Sequence, residues 1–209
     1  MWALVPLKSP ETAKSRLSTR LSPARRRDLF FSLARHVLTT CAETPALQRV
    51  AVVTANAEVA RFATDLGAVV VPESHEAGTA AACAVGLAHL ASLGVPDVLM
   101  LAGDLPLLSS RAIDAVLAAR AEGPGIVIAP DQSGTGTNAL LCSPATALPP
   151  SFGVHSFRVH VAAAQARGLA VRIVDDADLA LDLDVEADLD QLHRLATAGR
   201  RVPVLDVAA

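Results

Sequence analysis

Three aspartates stand where a carboxylate could meet a metal ion. Asp104 lies in the loop Gly103-Asp104-Leu105-Pro106, directly after the apolar run Asp97–Ala102. If that run is a strand, Asp104 sits at the carboxyl edge of a sheet. Mg2+ takes one or two such carboxylates together with substrate phosphates. The same residue could instead make an Asx-turn or cap the helix expected near Ser109. Asp182 and Asp184 flank Leu183. In an extended segment, residues two apart point to one side, so the pair could grip one cation. Asp184 could also cap the last helix with one of its oxygens. Asp188 and Asp190 fall on the expected solvated face of that helix, and Asp175, Asp176 and Asp178 in an expected turn.

Positive charge gathers at the other end of the chain. Residues 1–27 hold seven Lys/Arg and one Glu, whereas residues 175–190 hold eight Asp/Glu and no base, although the net charge is only −3. Lys8, Lys14 and Arg16 follow a short apolar strand, in a loop with little bulky apolar cover. They are suited to holding a triphosphate against the end of a sheet, with the acidic end facing them and holding a cation. Arg25, Arg26 and Arg27, at a helix start, read as a solvated face.

Two further loops could bind anions. In Ser133-Gly134-Thr135-Gly136-Thr137-Asn138 the glycines let backbone N–H groups converge and the threonines add donors, although a hairpin turn explains the pattern equally well. Phe152-Gly153-Val154-His155-Ser156-Phe157 ends with a serine at a helix start, where free N–H groups favour an anion. Ser156 as a simple N-cap is the alternative. His155 and His160 could be bases, although lone histidines more often serve packing or the surface. No Gly-x-Ser-x-Gly elbow and no Walker Gly-x-x-x-x-Gly-Lys is present. Cations, a metal site and anion loops without a covalent nucleophile suit phosphoryl or nucleotidyl transfer, where positioning and charge neutralisation carry the reaction.

The elements that must position these groups alternate along the chain. Strands are expected at 3–6, Arg49–Thr54, Val69–Val71, Asp97–Ala102, Ile126–Ala129, Ala139–Cys142 and Ala170–Val174. Helices are expected from Ser22-Pro23 to Cys41, over 57–66, 79–92, 110–121 and 156–167, and from near Asp184. Short β-branched runs between helices argue for an α/β fold with a mainly parallel sheet covered on both faces. Ligands then bind beyond the carboxyl ends of the strands. With 52% apolar and 19% charged residues in 209, the whole chain 1–209 reads as one folded domain.

Other partners are disfavoured. Aromatics at 3%, with no tyrosine, leave no stacking platform for single-stranded nucleic acid. No apolar run reaches the roughly 20 residues of a membrane span. Cys41, Cys83 and Cys142 have neither disulfide nor zinc spacing, and buried free thiols in the cytoplasm are expected. The apolar tail Val202–Ala209 could pack on its own sheet or on a neighbouring copy, which leaves a homodimer open.

Taken in order, these residues resemble the CofC/FbiD family of guanylyltransferases. The resemblance rests on Val5-Pro6-Leu7-Lys8, Lys14-Ser15-Arg16-Leu17-Ser18, Asp104-Leu105-Pro106-Leu107, Ile128-Ala129-Pro130-Asp131, Gly136-Thr137-Asn138-Ala139-Leu140, Phe152-Gly153 with Ser156-Phe157 and His160, and Asp182-Leu183-Asp184. It implies a Rossmann-related, MobA-like (GT-A-like) nucleotidyltransferase fold. It also implies transfer of GMP from GTP to 2-phospho-L-lactate, phosphoenolpyruvate or 3-phosphoglycerate in coenzyme F-420 biosynthesis. By the same resemblance, Asp104, Asp182 and Asp184 would hold Mg2+. Thr137, Gly153 and Ser156 would hold the acid, and Lys8, Lys14 and Arg16 would face the GTP phosphates. Pro6, Thr54, Gly78 and Thr79 are also expected in the nucleotide site, although Gly78-Thr79-Ala80-Ala81 stands where that family commonly has a Leu-Asn pair. A MobA-like enzyme acting on a sugar acid or a molybdenum cofactor precursor, and a non-catalytic nucleotide sensor, are the alternatives.

Overall fold

A computed structural model describes residues 1–205. Its seven strands are β1 (Trp2–Pro6), β2 (Arg49–Thr54), β3 (Val69–Pro72), β4 (Val98–Leu101), β5 (Gly125–Pro130), β6 (Thr137–Ser143) and β7 (Ala170–Ile173). They form one sheet in the order β3-β2-β1-β4-β6-β5-β7. All neighbours pair parallel except β6, which runs antiparallel to both β4 and β5. The helices are α1 (Pro23–Ala42), α2 (Ala57–Asp65), α3 (Thr79–Ser92), α4 (Ser110–Ala118), α5 (Ser156–Gln165), α6 (Ala177–Ala180) and α7 (Glu186–Thr197), with a 3-10 turn at Ser15–Leu17.

The helices cover both faces, as the apolar runs require. Ala3 and Val5 of β1 face α1, α2 and α4 in one core, and Leu4 between them faces α3 in the other. This alternation follows from the two-residue period of a strand. Helix α3 lies so close to β1 and β2 that a Cβ on Gly86 would come within 2.6 Å of Leu4 Cδ1 and 2.7 Å of Val53 Cγ2. Ser22 caps α1 by accepting from Arg25 N, with Pro23 in the first turn, as the sequence pattern indicates.

A third apolar cluster joins the two ends of the chain. Leu17, Leu21, Leu29 and Leu33 meet Leu181, Leu183, Leu189, Leu192, Val202 and Val204. The described part of the C-terminal tail therefore packs on its own chain, against α1 and α7 rather than on the sheet. Residues 206–209 of that tail lie outside the described residues. Among the described residues no helix is long and apolar enough to cross a membrane.

The sheet places a crevice at the ends of β1 and β4. The chain winds outward from β1 through β2 to β3, then returns to place β4 on the other side of β1. Such a reversal opens a binding crevice beyond the carboxyl ends of the two central strands. The loops leaving β1 and β4 carry Lys8 and Asp104. They pack tightly, since a Cβ on Gly103 would reach within 2.4 Å of Leu7 Cδ2.

Candidate active site

The crevice is a cleft of about 340 Å3 whose walls include Pro6, Lys8, Lys14, Thr79, Asp104 and Asp184. At its floor the Lys14 ammonium lies 2.6 Å from Asp104 Oδ2 and 3.0 Å from Asp184 Oδ1. Lys14 adopts a left-handed backbone, φ 55°, just before the 3-10 turn. This conformation is costly for a side chain with a Cβ, and here it delivers the ammonium between two carboxylates. Only 5% of the Lys14 side chain is exposed. Burial works against its charge, but Asp104 and Asp184 outweigh it and raise the pKa, so the lysine stays cationic.

The basic and acidic ends of the chain meet as their charge asymmetry suggests, but they pair directly. Arg16 lies 4.0 Å from Asp184, and Arg20 pairs with Asp190 and Glu186. The Lys14 ammonium is thus engaged by carboxylates, while Lys8 and Arg16 are exposed. Arg25, Arg26 and Arg27 are not simply a solvated face. Arg26 donates to the Leu21 carbonyl, and Arg27 pairs with Glu58 and Glu11.

The two-residue spacing of Asp182 and Asp184 works as expected. Leu181 and Leu183 turn into the third core, and the aspartates between and after them stay half-buried, with Asp184 alone of the two lining the cleft. A backbone bond from Leu183 N to Asp104 O, 3.1 Å, pins this segment to the loop after β4. Asn138 of β6 reinforces it by donating to Leu179 O, Ala180 O and Asp182 Oδ1. Burial, then the nearby charge of Asp104, pushes the Asp182 carboxyl up to about 6. Burial also opposes ionisation of Asp184, but Lys14, then Arg16 and Lys8, outweigh it and hold that carboxyl below its ordinary value.

Several expectations for the acidic segment are corrected. Asp184 does not cap the last helix. Val185 occupies the cap position, and Asp188, expected on the solvated face, accepts from both Asp184 N and Val185 N at 2.8 Å. Asp176 caps the short helix α6, and Asp178 is buried against Arg111, Arg200 and Ser109. Ser109, not Asp104, caps α4.

The fit of a divalent cation rests on donor chemistry. Three carboxylates supply the oxygen ligands that Mg2+ prefers, and a positive group already sits between two of them. Among the described residues, no group of three or more His, Cys, Asp or Glu is already drawn together around one metal position.

On the side expected to face the nucleotide, Gly78 precedes α3 with φ 95° and offers no side-chain cap. The first N–H groups of this 14-residue helix are therefore free for an anion, and Thr79 at its start lines the cleft. Thr54 ends β2, buried, and its hydroxyl accepts from Asn56 N. Arg16, Thr54, Gly78 and Asp182 lie outside the cleft lining.

The remaining candidates gather at the start of β6. The Ser133–Asn138 stretch is a hairpin turn, not an open anion loop. Asp131 accepts from the Ser133 hydroxyl and from Thr135 N, and Gly134 N bonds to Asp131 O, so those donors are occupied. Thr137 and Ser156 do come together, their hydroxyls 3.1 Å apart. Ser156 is the first residue of α5 rather than its cap, which is the exposed His155 at φ 62°. Gly153, at φ 140°, makes the turn before it and accepts from Ser156 N. His160 is buried, with Nδ1 3.2 Å from Thr137 Oγ1 and Nε2 2.9 Å from Ser151 N. Its ring meets Phe152 edge-on at 5.1 Å. Burial pushes its pKa down to about 4, so the ring is neutral and only a weak base at neutral pH, and its Nε2 lone pair is taken by Ser151 N–H. The three cysteines are buried and unpaired, each pushed up to about 12 by burial, so none is a nucleophile.

Sequence reasoning missed Asn138 as a positioning group and the dual acceptor role of Asp188. Only the Gly-Thr-Asn triplet hints at the first. The Val185–Asp188 spacing, an acidic residue three positions after the cap, could have found the second.

The model of the family described as "Guanylyl transferase CofC like" matches residues 1–199. The chain is 39% identical to the phosphoenolpyruvate guanylyltransferase of Conexibacter woesei, over 95% of this chain and 90% of that protein. It is 36% identical to the 3-phospho-D-glycerate guanylyltransferase of Phenylobacterium zucineum, over 90% and 87%. A putative nucleotide-diphospho-sugar transferase from Desulfovibrio desulfuricans shares the fold, with a TM-score of 0.80 at 16% identity over 98% of this chain and 92% of that one. So does a nucleotidyl transferase from Methanothermobacter thermautotroptrophicus, with a TM-score of 0.70 at 16% identity over 95% and 98%. With a family match across almost its whole length and relatives of nearly equal length, the chain belongs to the CofC guanylyltransferases.

Proposed function

We propose that this single-domain, cytoplasmic protein transfers GMP from GTP to phosphoenolpyruvate, releasing pyrophosphate and supplying coenzyme F-420 biosynthesis. The observation that carries the reading is the Lys14–Asp104–Asp184 cluster beneath a cleft bounded by the uncapped start of α3. An oxygen of the acid's phosphate attacks the α-phosphorus of GTP, and the bond from that phosphorus to the pyrophosphate oxygen breaks. A phosphate monoester with its second pKa near ~6 is already largely deprotonated at neutral pH, so no general base is needed. That agrees with a site whose one buried histidine is held neutral. Lys8, exposed on the cleft wall, and Arg16, beside Asp184, balance the charge of the departing pyrophosphate, and the α3 N-terminus accepts a phosphate. Thr137, Gly153 and Ser156 hold the acid. Asp104, Asp182 and Asp184 would hold Mg2+, which would supply neutralisation of phosphate charge.

The test is pyrophosphate release from each of GTP, ATP, CTP and UTP, with phosphoenolpyruvate, 2-phospho-L-lactate and 3-phosphoglycerate in turn, the product being identified by mass. Release with GTP and phosphoenolpyruvate is expected. Preference for another acid would move the acceptor assignment, and no release with any pair would favour a nucleotide sensor. Asp104→Asn should abolish turnover with the fold intact.

A further inference from the structure

Thr137 sits at the centre of a small buried network whose proton positions can be assigned. Ser151 N–H donates to His160 Nε2 at 2.9 Å, so that nitrogen is an acceptor and carries no hydrogen. Burial keeps the ring neutral, and a neutral imidazole has one donor and one acceptor. The single ring hydrogen is therefore on Nδ1, 3.2 Å from Thr137 Oγ1. Ser156 also donates its hydroxyl to Thr137 Oγ1, at 3.1 Å. Both lone pairs of the threonine oxygen are thus occupied by incoming donors. Its own hydrogen must leave toward a third acceptor, and among the described residues no hydrogen bond takes it.

The position of that hydroxyl gives the free hydrogen a use. Thr137 opens β6 at the edge of the sheet where β4 ends, next to Asn138, which holds the Asp182 segment. At the β-bulge where β6 begins, Asn138 reaches the Asp182 segment and Thr137 reaches α5. We infer that His160 is a positioning residue that fixes Thr137 as a one-way hydrogen-bond donor to an anionic oxygen of the acid substrate. The histidine itself does not touch that substrate. Without its Nδ1–H, Thr137 could turn its hydrogen inward and present a lone pair, which repels a carboxylate or phosphate oxygen. The identity of the anion rests on the guanylyltransferase reading, but the ring tautomer does not.

Two measurements test this. The ring 15N spectrum of the intact protein, without substrates, should show His160 neutral with its hydrogen on Nδ1. A hydrogen on Nε2 overturns the inference. In steady-state kinetics, His160→Gln retains an acceptor at the outer ring position but no donor toward Thr137. It should raise KM for the acid about tenfold, the effect of one lost hydrogen bond, and leave KM for GTP unmoved. His160→Asn restores an N–H near the Nδ1 position and should bring KM for the acid back to within about threefold of wild type. In a Thr137→Val background, His160→Gln should add nothing further, because coupled residues are not additive. Equal rises in both KM values, equal effects of Asn and Gln, or additivity with Thr137→Val would overturn it. A wild-type protein that releases no pyrophosphate but shows the Nδ1–H ring sinks the guanylyltransferase reading alone. An active enzyme with an Nε2–H ring sinks the positioning role alone.

Discussion

Asp182→Asn should make the metal-free protein more stable while removing its activity. The carboxyl of Asp182 rises from 3.8 to about 6 because burial and the charge of Asp104 both oppose its ionisation. Ionised, it therefore costs the fold about 1.36 kcal/mol for each pKa unit, or roughly 3 kcal/mol in all. Partial contact with water brings the expected gain for asparagine to about 1.5–3 kcal/mol. The side-chain oxygen that accepts from Asn138 is retained in the amide, so the swap leaves that bond in place. A raised folded pKa on an acid means that the native state holds its proton longer than the unfolded chain does. Wild-type stability contributed by this group is complete below pH 4 and lost as pH rises toward 6. The advantage of asparagine should then be near zero at pH 4, grow through pH 5 and level off above pH 7. Urea denaturation of both proteins in EDTA at pH 4, 5, 6, 7 and 8 measures it, and added Mg2+ should stabilise wild type more than the variant. A variant less stable than wild type at pH 8, or a gain independent of pH, would refute the reasoning.

Three other outcomes follow from the same geometry. Lys14→Met leaves Asp104 unpaired and Asp184 with only the more distant Arg16, 4.0 Å away. As their side chains are 29% and 48% exposed, the loss should be about 1–2 kcal/mol at pH 7, well under that of a fully buried pair. Asp184 has a depressed pKa in the fold, so this loss should fade as pH falls below 4, read by denaturation at pH 7 and 3. Gly86→Ala drives a methyl into Leu4 and Val53 and should cost about 1–3 kcal/mol by overpacking, checked by thermal melting. His155→Gly relieves a left-handed residue on the exposed turn before α5. It should stabilise by about 0.5 kcal/mol, the strain relieved less the added chain entropy, and a loss in the same melt would contradict this.

Much of the scaffold can be read from the chain. The apolar runs of β2 and β4 and the Ser-Pro start of α1 are local signals, and each fell within a few residues of its expected place. The antiparallel direction of β6 was not legible, because Thr137–Ser143 reads as a buried strand whichever way it runs. The carboxylates were legible as chemistry: an aspartate after an apolar strand and a pair two apart needed only the strand period. The placement of Lys14 was not. Its partners lie 90 and 170 residues away, and no spacing rule connects them. His160 was legible only as a histidine near a helix start, since its role depends on a backbone donor at Ser151 and a hydroxyl from another strand.

The backbone bond from Leu183 to Asp104 has a consequence for how the protein is made. Ribosomes deliver the chain from its N-terminus at about 5–20 residues per second. The 79 positions from Asp104 to Leu183 therefore take roughly 4 to 16 s to emerge. During that interval β1, α3 and β4 can already stand as the walls of the cleft, with Lys14 beside Asp104 alone. The second carboxylate of the pair, and the Leu181 and Leu183 side chains that seat it in the third core, arrive only after that interval. A nascent chain can thus form the cleft walls well before the carboxylate pair beneath them is complete. The Lys14 cluster is complete only once the segment around Leu183 has emerged and closed onto the first loop.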